Sequence, residues 1–201
     1  MPMSLKYLFA AVGVAALAAA TMDDALACAC CTSPGQRNVA VQALDTGRRS
    51  EINRLRFAGT AQLYTGEADP SSIKGIATPS QRYDLNVAWQ KDQLAFTFRD
   101  QSGRSGTLSL QLPSTISIFE VDPRTPKTGG EPLLYKEWKL TSKAAGSGVF
   151  SAGLGPNQLL TLIVHGRGNS CTSSDDFTDW TLVMQGPKAN YSLFGDLVST
   201  P

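Results

Sequence analysis

Residues 83–112 read YDLNVAWQKDQLAFTFRDQSGRSGTLSLQL, and this stretch decides the fold class. Tyr83, Leu85, Val87 and Trp89 alternate with polar residues, the period of an extended chain that buries one face. A short connection at 90–93 follows, and Leu94, Phe96 and Phe98 resume the alternation in a second, antiparallel strand. Ser102-Gly103-Arg104-Ser105-Gly106 is a glycine-rich turn. Leu108, Leu110 and Leu112 then form a third strand of the meander, which Pro113 closes.

The pattern extends in both directions. Downstream, 116–121 is apolar and β-branched, 122–130 is a Pro/Gly loop, and Leu134, Trp138 and Leu140 alternate with Lys136 in their row. Residues 149–152 read as a short strand before a turn at 153–156. The run 159–165 is apolar enough to be a central strand buried on both faces. Strands at 180–184 and 191–197 complete the series. Upstream, Leu55, Phe57, Gly59, Ala61 and Leu63 place a strand over 54–63, whereas 32–53 carries a turn at Ser33-Pro34-Gly35 and at most a short helix. Roughly eight to nine short strands with almost no helix predict a single-domain all-β protein, an antiparallel β-sandwich or barrel.

Composition narrows the functional classes. Of 201 residues, 18 are Lys or Arg and 17 are Asp or Glu, 42% are hydrophobic, and the net charge is +1. That balance, without a basic run, excludes nonspecific nucleic-acid binding, which needs clustered cations. It also excludes intrinsic disorder.

The first 27 residues read as a cleaved signal peptide. Lys6 supplies the positive start, an apolar stretch follows, and Ala25-Leu26-Ala27 is a small-x-small cleavage site before Cys28. Its uncharged run of 16 residues falls short of the ~20 needed to span a bilayer. The protein is therefore expected in the bacterial periplasm or outside the cell, with no transmembrane span after leader removal. The organisation is 1–27 leader, 28–53 Cys-rich N-terminus and polar connection, and 54–201 β domain.

The cysteines form the one chemically unusual motif. Cys28, Cys30 and Cys31 crowd the mature N-terminus, and Cys171 lies 140 residues beyond Cys31. Bridges within the cluster would close tiny strained rings, because disulfide Cα separations centre near ~5.5–6 Å while neighbouring Cα atoms are ~3.8 Å apart. The unstrained bridge runs from Cys171 to Cys31 or Cys30. A second reading gives Cys28, Cys30 and Cys31, with Cys171 or His165, to a soft metal, copper or zinc, or to redox chemistry. A lipid on Cys28 is a third; against it, Ala25 stands where lipoprotein signals usually place Leu, and Asp23-Asp24 interrupt the approach.

His165 is the sole histidine and sits before a predicted Gly166-Arg167-Gly168 turn. A hydrolase would have to be centred on it, yet the segment matches no nucleophile elbow or protease cysteine signature. Ser173, Ser174, Asp175, Asp176 and Asp179 read as a solvated acidic turn without EF-hand spacing. Arg37, Arg48, Arg49, Arg54 and Arg56 read as a solvated basic face, and Trp89, Trp138 and Trp180 as core. The sequence thus leads to an exported, non-catalytic β protein, a binding or structural module for an envelope ligand, its N-terminus tied to Cys171.

Overall fold

The computed structural model describes residues 33–125, 133–170 and 172–198. These fold as one antiparallel sheet of 11 strands. In chain order they are β1 Arg37–Ala43, β2 Thr60–Leu63, β3 Arg82–Gln90, β4 Gln93–Arg99, β5 Ser105–Gln111, β6 Thr115–Val121, β7 Leu134–Lys143, β8 Ala145–Gly148, β9 Leu159–Gly168, β10 Phe177–Gln185 and β11 Asn190–Asp196. Across the sheet the order is β1-β6-β7-β9-β10-β11-β2-β3-β4-β5-β8. One helix, α1 at Thr46–Arg54, joins β1 to β2. The predicted leader, residues 1–27, and all four cysteines lie outside the described residues.

Alternation dictates which face closes on the core. Leu94, Phe96 and Phe98 of β4 and Leu108 and Leu110 of β5 are buried, as are Leu160, Leu162 and Val164 of β9 and Trp180, Leu182 and Met184 of β10. Four strand steps separate β4 from β10, yet the rings of Phe96 and Trp180 lie 6.1 Å apart, and Phe57 touches both at 5.3 and 5.8 Å. The sheet therefore folds over and encloses one apolar core between its halves, broadly as in a β-sandwich. Burying each Phe or Leu of this core is worth about 1.5–3 kcal/mol by area.

The fold-over is also covalent. β7 runs almost directly into β8, but β7 pairs with β6 and β9 while β8 pairs with β5 at the opposite margin. One extended segment thus crosses between halves, the device by which sheets turn corners. Among the described residues β1 and β8 are the two free margins, so the sheet is open and the barrel expectation is not met in its closed form.

The meander at 83–112 agrees with the sequence reading, and Trp138 and Trp180 are fully buried. Four expectations are corrected. The strand count is eleven, because β1 and β8 were not anticipated: β1 buries neither face fully, and β8 reads AGSG. The strand at 149–152 is replaced by a tight helical turn at Ser151–Gly153. The strand at 54–63 shrinks to β2, because α1 continues through Arg54 and Phe57 makes only an isolated bridge with Leu197. β9 buries only alternate side chains, so it is central without being buried on both faces.

α1 itself is a capped polar turn of chain. The Asp45 side chain accepts a hydrogen bond from the Arg48 amide at 2.8 Å, satisfying a first-turn donor. Ile52 is its one buried residue. Such a helix depends on tertiary anchors more than on its own propensity.

Candidate functional site

Two cross-strand rows on opposite faces of the same strands carry the polar chemistry. On the inner face, the register aligns Asn38, Glu120, Lys136, Gly166 and Phe177 across β1, β6, β7, β9 and β10. On the outer face it aligns Val39, Phe119, Glu137, His165, Asp179 and Asp196, ending on β11. From β1 to β9 period-two alternation makes the two rows immediate sequence neighbours on opposite faces, and on β10 a bulge between Phe177 and Asp179 keeps the rows apart.

The inner row is an ionic cluster at one end of an apolar core. Lys136 is fully buried, and its Nζ donates to Asp176 Oδ2 at 3.0 Å and to the Ser170 carbonyl. Asp176 Oδ2 also accepts the Ser170 amide at 2.9 Å. The ammonium lies 5.5 Å from the centre of the Phe177 ring, a cation–π distance. Glycine makes this possible: a Cβ on Gly166 would overlap the Asp176 carbonyl, and one on Gly168 the Asp176 carboxylate. Two bare positions in β9 let Asp176 close over the strand and meet Lys136 there.

Glu120 stands beside Lys136 and is 6% exposed. No hydrogen bond reaches its carboxylate among the described residues. Burial, outweighing the opposing charges of Lys136 and Arg48, pushes its carboxyl above the ordinary glutamate range. Arg48 projects from α1 with its guanidinium carbon 5.1 Å from the centre of the Trp138 ring, and Nη2 donates to Gln42 at 2.9 Å. Among the described residues, Arg48 Nη1 and Asn38 Nδ2 are buried donors without a hydrogen-bond partner. One turn further along α1, Glu51 accepts the amide and hydroxyl of Ser174 at 2.8 and 3.0 Å, and Arg54 bonds Asp175 at 3.0 Å.

These contacts correct two sequence readings. The acidic turn is not a solvated loop, because Asp176 and Ser174 are structural anchors. The arginines are not a uniform solvated face, because Arg48 stacks on the core, Arg49 bonds Asp92 at 3.0 Å and Arg54 joins α1 to the acidic turn. Lys136, Glu120 and Asp176 were missed as a group because their partnership spans three separated segments. A trace was present in Leu134-x-Lys136-x-Trp138-x-Leu140, where a cation occupies an apolar row.

The outer row is half exposed. The Tyr135 hydroxyl donates to Glu137 at 2.6 Å, and Glu137 pairs with Lys139 at 2.8 Å. Burial and the adjacent Glu137 both push the Tyr135 phenol upward. Burial pushes the Glu137 carboxyl upward, but hydrogen bonds from Lys139 and Tyr135 overrule it and hold it below the usual range. The Tyr135 ring lies 6.2 Å from those of Phe119 and His165. Beside this ladder a shallow depression of about 330 Å³ is lined by Val39, Ser117, Ile118, Phe119, Glu137 and Lys139.

His165 therefore sits on the outer face, opposite Glu137 and Asp179, and the predicted turn at 166–168 is a continuation of β9. The sheet lies between it and the buried acid–base groups Glu120 and Lys136. Among the described residues, no three His, Cys, Asp or Glu side chains gather as metal ligands. No described helix is long and apolar enough to cross a membrane. No family model matches the chain, and neither a curated protein nor a solved structure matches it.

Proposed function

We propose that the protein is an exported, non-catalytic binding module whose outer face, over β6, β7 and β9, receives an envelope partner. The observation carrying this reading is the apolar depression over Phe119 and Val39, rimmed by the Glu137–Lys139 ion pair. Apolar ground bordered by ordered charge is the composition of a recognition surface. A non-catalytic role is supported by the separation of His165 from the interior carboxylates and lysine by the sheet.

The fastening of the N-terminus to Cys171 is part of the same proposal, and its support is positional. Arg37, Val121, Tyr135 and Arg167 share one cross-strand row. The chain enters β1 and leaves β9 at that end, three strand spacings or about 14 Å apart. Cys31 lies six residues before Arg37, and Cys171 four after Arg167. At roughly 3.3 Å per extended residue, the flanking chain readily spans the gap.

The test uses the protein exported with its own leader. A photo-crosslinking residue at Phe119 is expected to yield one discrete envelope adduct, whereas the same probe at Thr97, on β4, yields none. Equal labelling from both positions would sink the binding face. Intact mass with thiol alkylation, before and after reduction, checks the tether: a Cys171 peptide joined to the N-terminal peptide supports it. A retained copper or zinc ion protecting the thiols would overturn it in favour of a soft-metal site.

A further inference from the structure

The two margins of the sheet differ in kind. β8 is four residues of AGSG, too short to template another strand. β1 is seven residues, Arg-Asn-Val-Ala-Val-Gln-Ala, in unbroken register with β6, and contains no Pro, Lys or bulge. Those are the devices that ordinarily blunt an edge.

Its free side can be read from the hydrogen bonds at its ends. Leu44 donates to the Ser114 carbonyl at 2.8 Å, and Asp122 donates to the Gln36 carbonyl at 3.4 Å. Antiparallel ladders alternate, so the even-numbered residues of β1 bond to β6. The amides and carbonyls of Arg37, Val39, Val41 and Ala43 point away from it, and they meet no partner among the described residues. The side chains of these same residues face outward, with Val39 75% and Val41 69% exposed. Arg48 and α1 engage the other face, through Gln42.

We infer that this edge pairs with β1 of a second copy of the chain, antiparallel and centred on Ala40, so that two sheets become one across a two-fold axis. In that register Val39 faces the partner's Val41 and Arg37 the partner's Ala43. Each is a pair of outward-pointing backbones, giving about eight new hydrogen bonds and leaving no free group in the strand. A shift by two residues in either direction strands one end. The valines form apolar cross-strand pairs. Arg37 lies diagonal to the partner's Asp45, an opposite charge, and no like charges stand opposite each other. Asn38, whose Nδ2 lacks an acceptor among the described residues, faces the partner's Gln42. An edge of this size is a small interface, so a dissociation constant on the order of 10–100 µM is expected.

This inference goes beyond the outer-face reading and is tested separately from it. The full chain, in excess reductant to exclude covalent dimers, is followed by sedimentation across that concentration range, with amide exchange measured in parallel. Expected are a reversible dimer and concentration-dependent protection of the Val39 and Val41 amides, with the Ala40 amide protected throughout. Val41→Pro removes an outward amide that the monomer does not use, and Val41→Lys blunts the edge. Each should weaken dimerisation at least tenfold while leaving the thermal midpoint of the monomer in place. Phe119→Asp should leave the dimer unchanged, so its failure to bind an envelope partner would concern only the other reading. A monomer at all concentrations overturns the inference. So does a monomer whose Val39 and Val41 amides are always protected, which would mean that another segment of the chain covers the edge. A dimer insensitive to both Val41 variants overturns it as well.

Discussion

The β2–β5 half of the core and the β6–β10 end bury side chains by opposite physical means. Around β4 the interior is aromatic: Tyr83, Phe98 and Phe150 meet at 5.3–6.4 Å between ring centres, and stability there is area and packing. At the end of β7 the buried Lys136 holds Asp176, with Glu120 and Arg48 beside them, and stability there depends on Lys136 and Asp176 keeping each other. The first kind of core degrades gradually when atoms are removed, and the second fails abruptly when one partner is lost. Both share one sheet, so any difference between them reports chemistry and not topology.

The comparison is broken most forcefully at Lys136. Lys136→Ala leaves the Asp176 carboxylate and the Ser170 carbonyl without their cation and should cost about 3–5 kcal/mol in urea unfolding. Lys136→Met combined with Asp176→Leu should recover most of it; a double variant as unstable as the single would mean that packing, not charge, governs the site. Gly166→Ala comes next, at about 1–3 kcal/mol as for overpacking, because its methyl group meets the Asp176 backbone. In the aromatic half, Phe98→Leu should lose about 1–2 kcal/mol, and no second substitution in that half should restore it.

Glu120 sharpens the contrast through pH. Its folded carboxyl is raised by burial, so the folded state holds a proton that the unfolded chain releases near its ordinary value of ~4.3. The stability this group contributes is present below that value and is lost as pH rises through the raised folded value. Glu120→Gln should therefore flatten this decline and make the protein more stable at neutral pH, as read by thermal midpoints across the pH range. An unchanged pH profile would remove Glu120 from the cluster. The smallest effect is expected from Asp175→Ala, which breaks the exposed pair with Arg54 and should cost less than about 1 kcal/mol.

What was legible in the sequence follows the same division. The aromatic half announced itself, since β3, β4 and β5 are adjacent in sequence and each alternates cleanly between tight turns. β1 was not legible, because an edge strand with Asn38 and Gln42 inward and Val39 and Val41 outward inverts the usual pattern. The charged end was legible only as anomalies. Lys136 interrupts an apolar row, Glu120 extends the Ile116 and Ile118 row, and Gly166 and Gly168 look like a turn unless Asp176 is known to lie over them. Long-range partnership is what a single chain's periodicity cannot express. The cysteine chemistry was the clearest motif in the sequence, and it lies outside the described residues.

β2 carries a consequence for the order of assembly. Four residues long, it is the only strand between the two halves of the sheet, pairing with β3 on one side and β11 on the other. Leu63 faces Leu193 there, so this join closes only after β11 has followed β2 by some 130 residues. A polypeptide delivered N-terminus first has its β3–β4–β5 meander available early, by local contacts alone, while β1 and β2 wait. The last strand delivered is the one that completes the seam, and a chain truncated before Asn190 should show the meander's protected amides with β2 still exchanging freely.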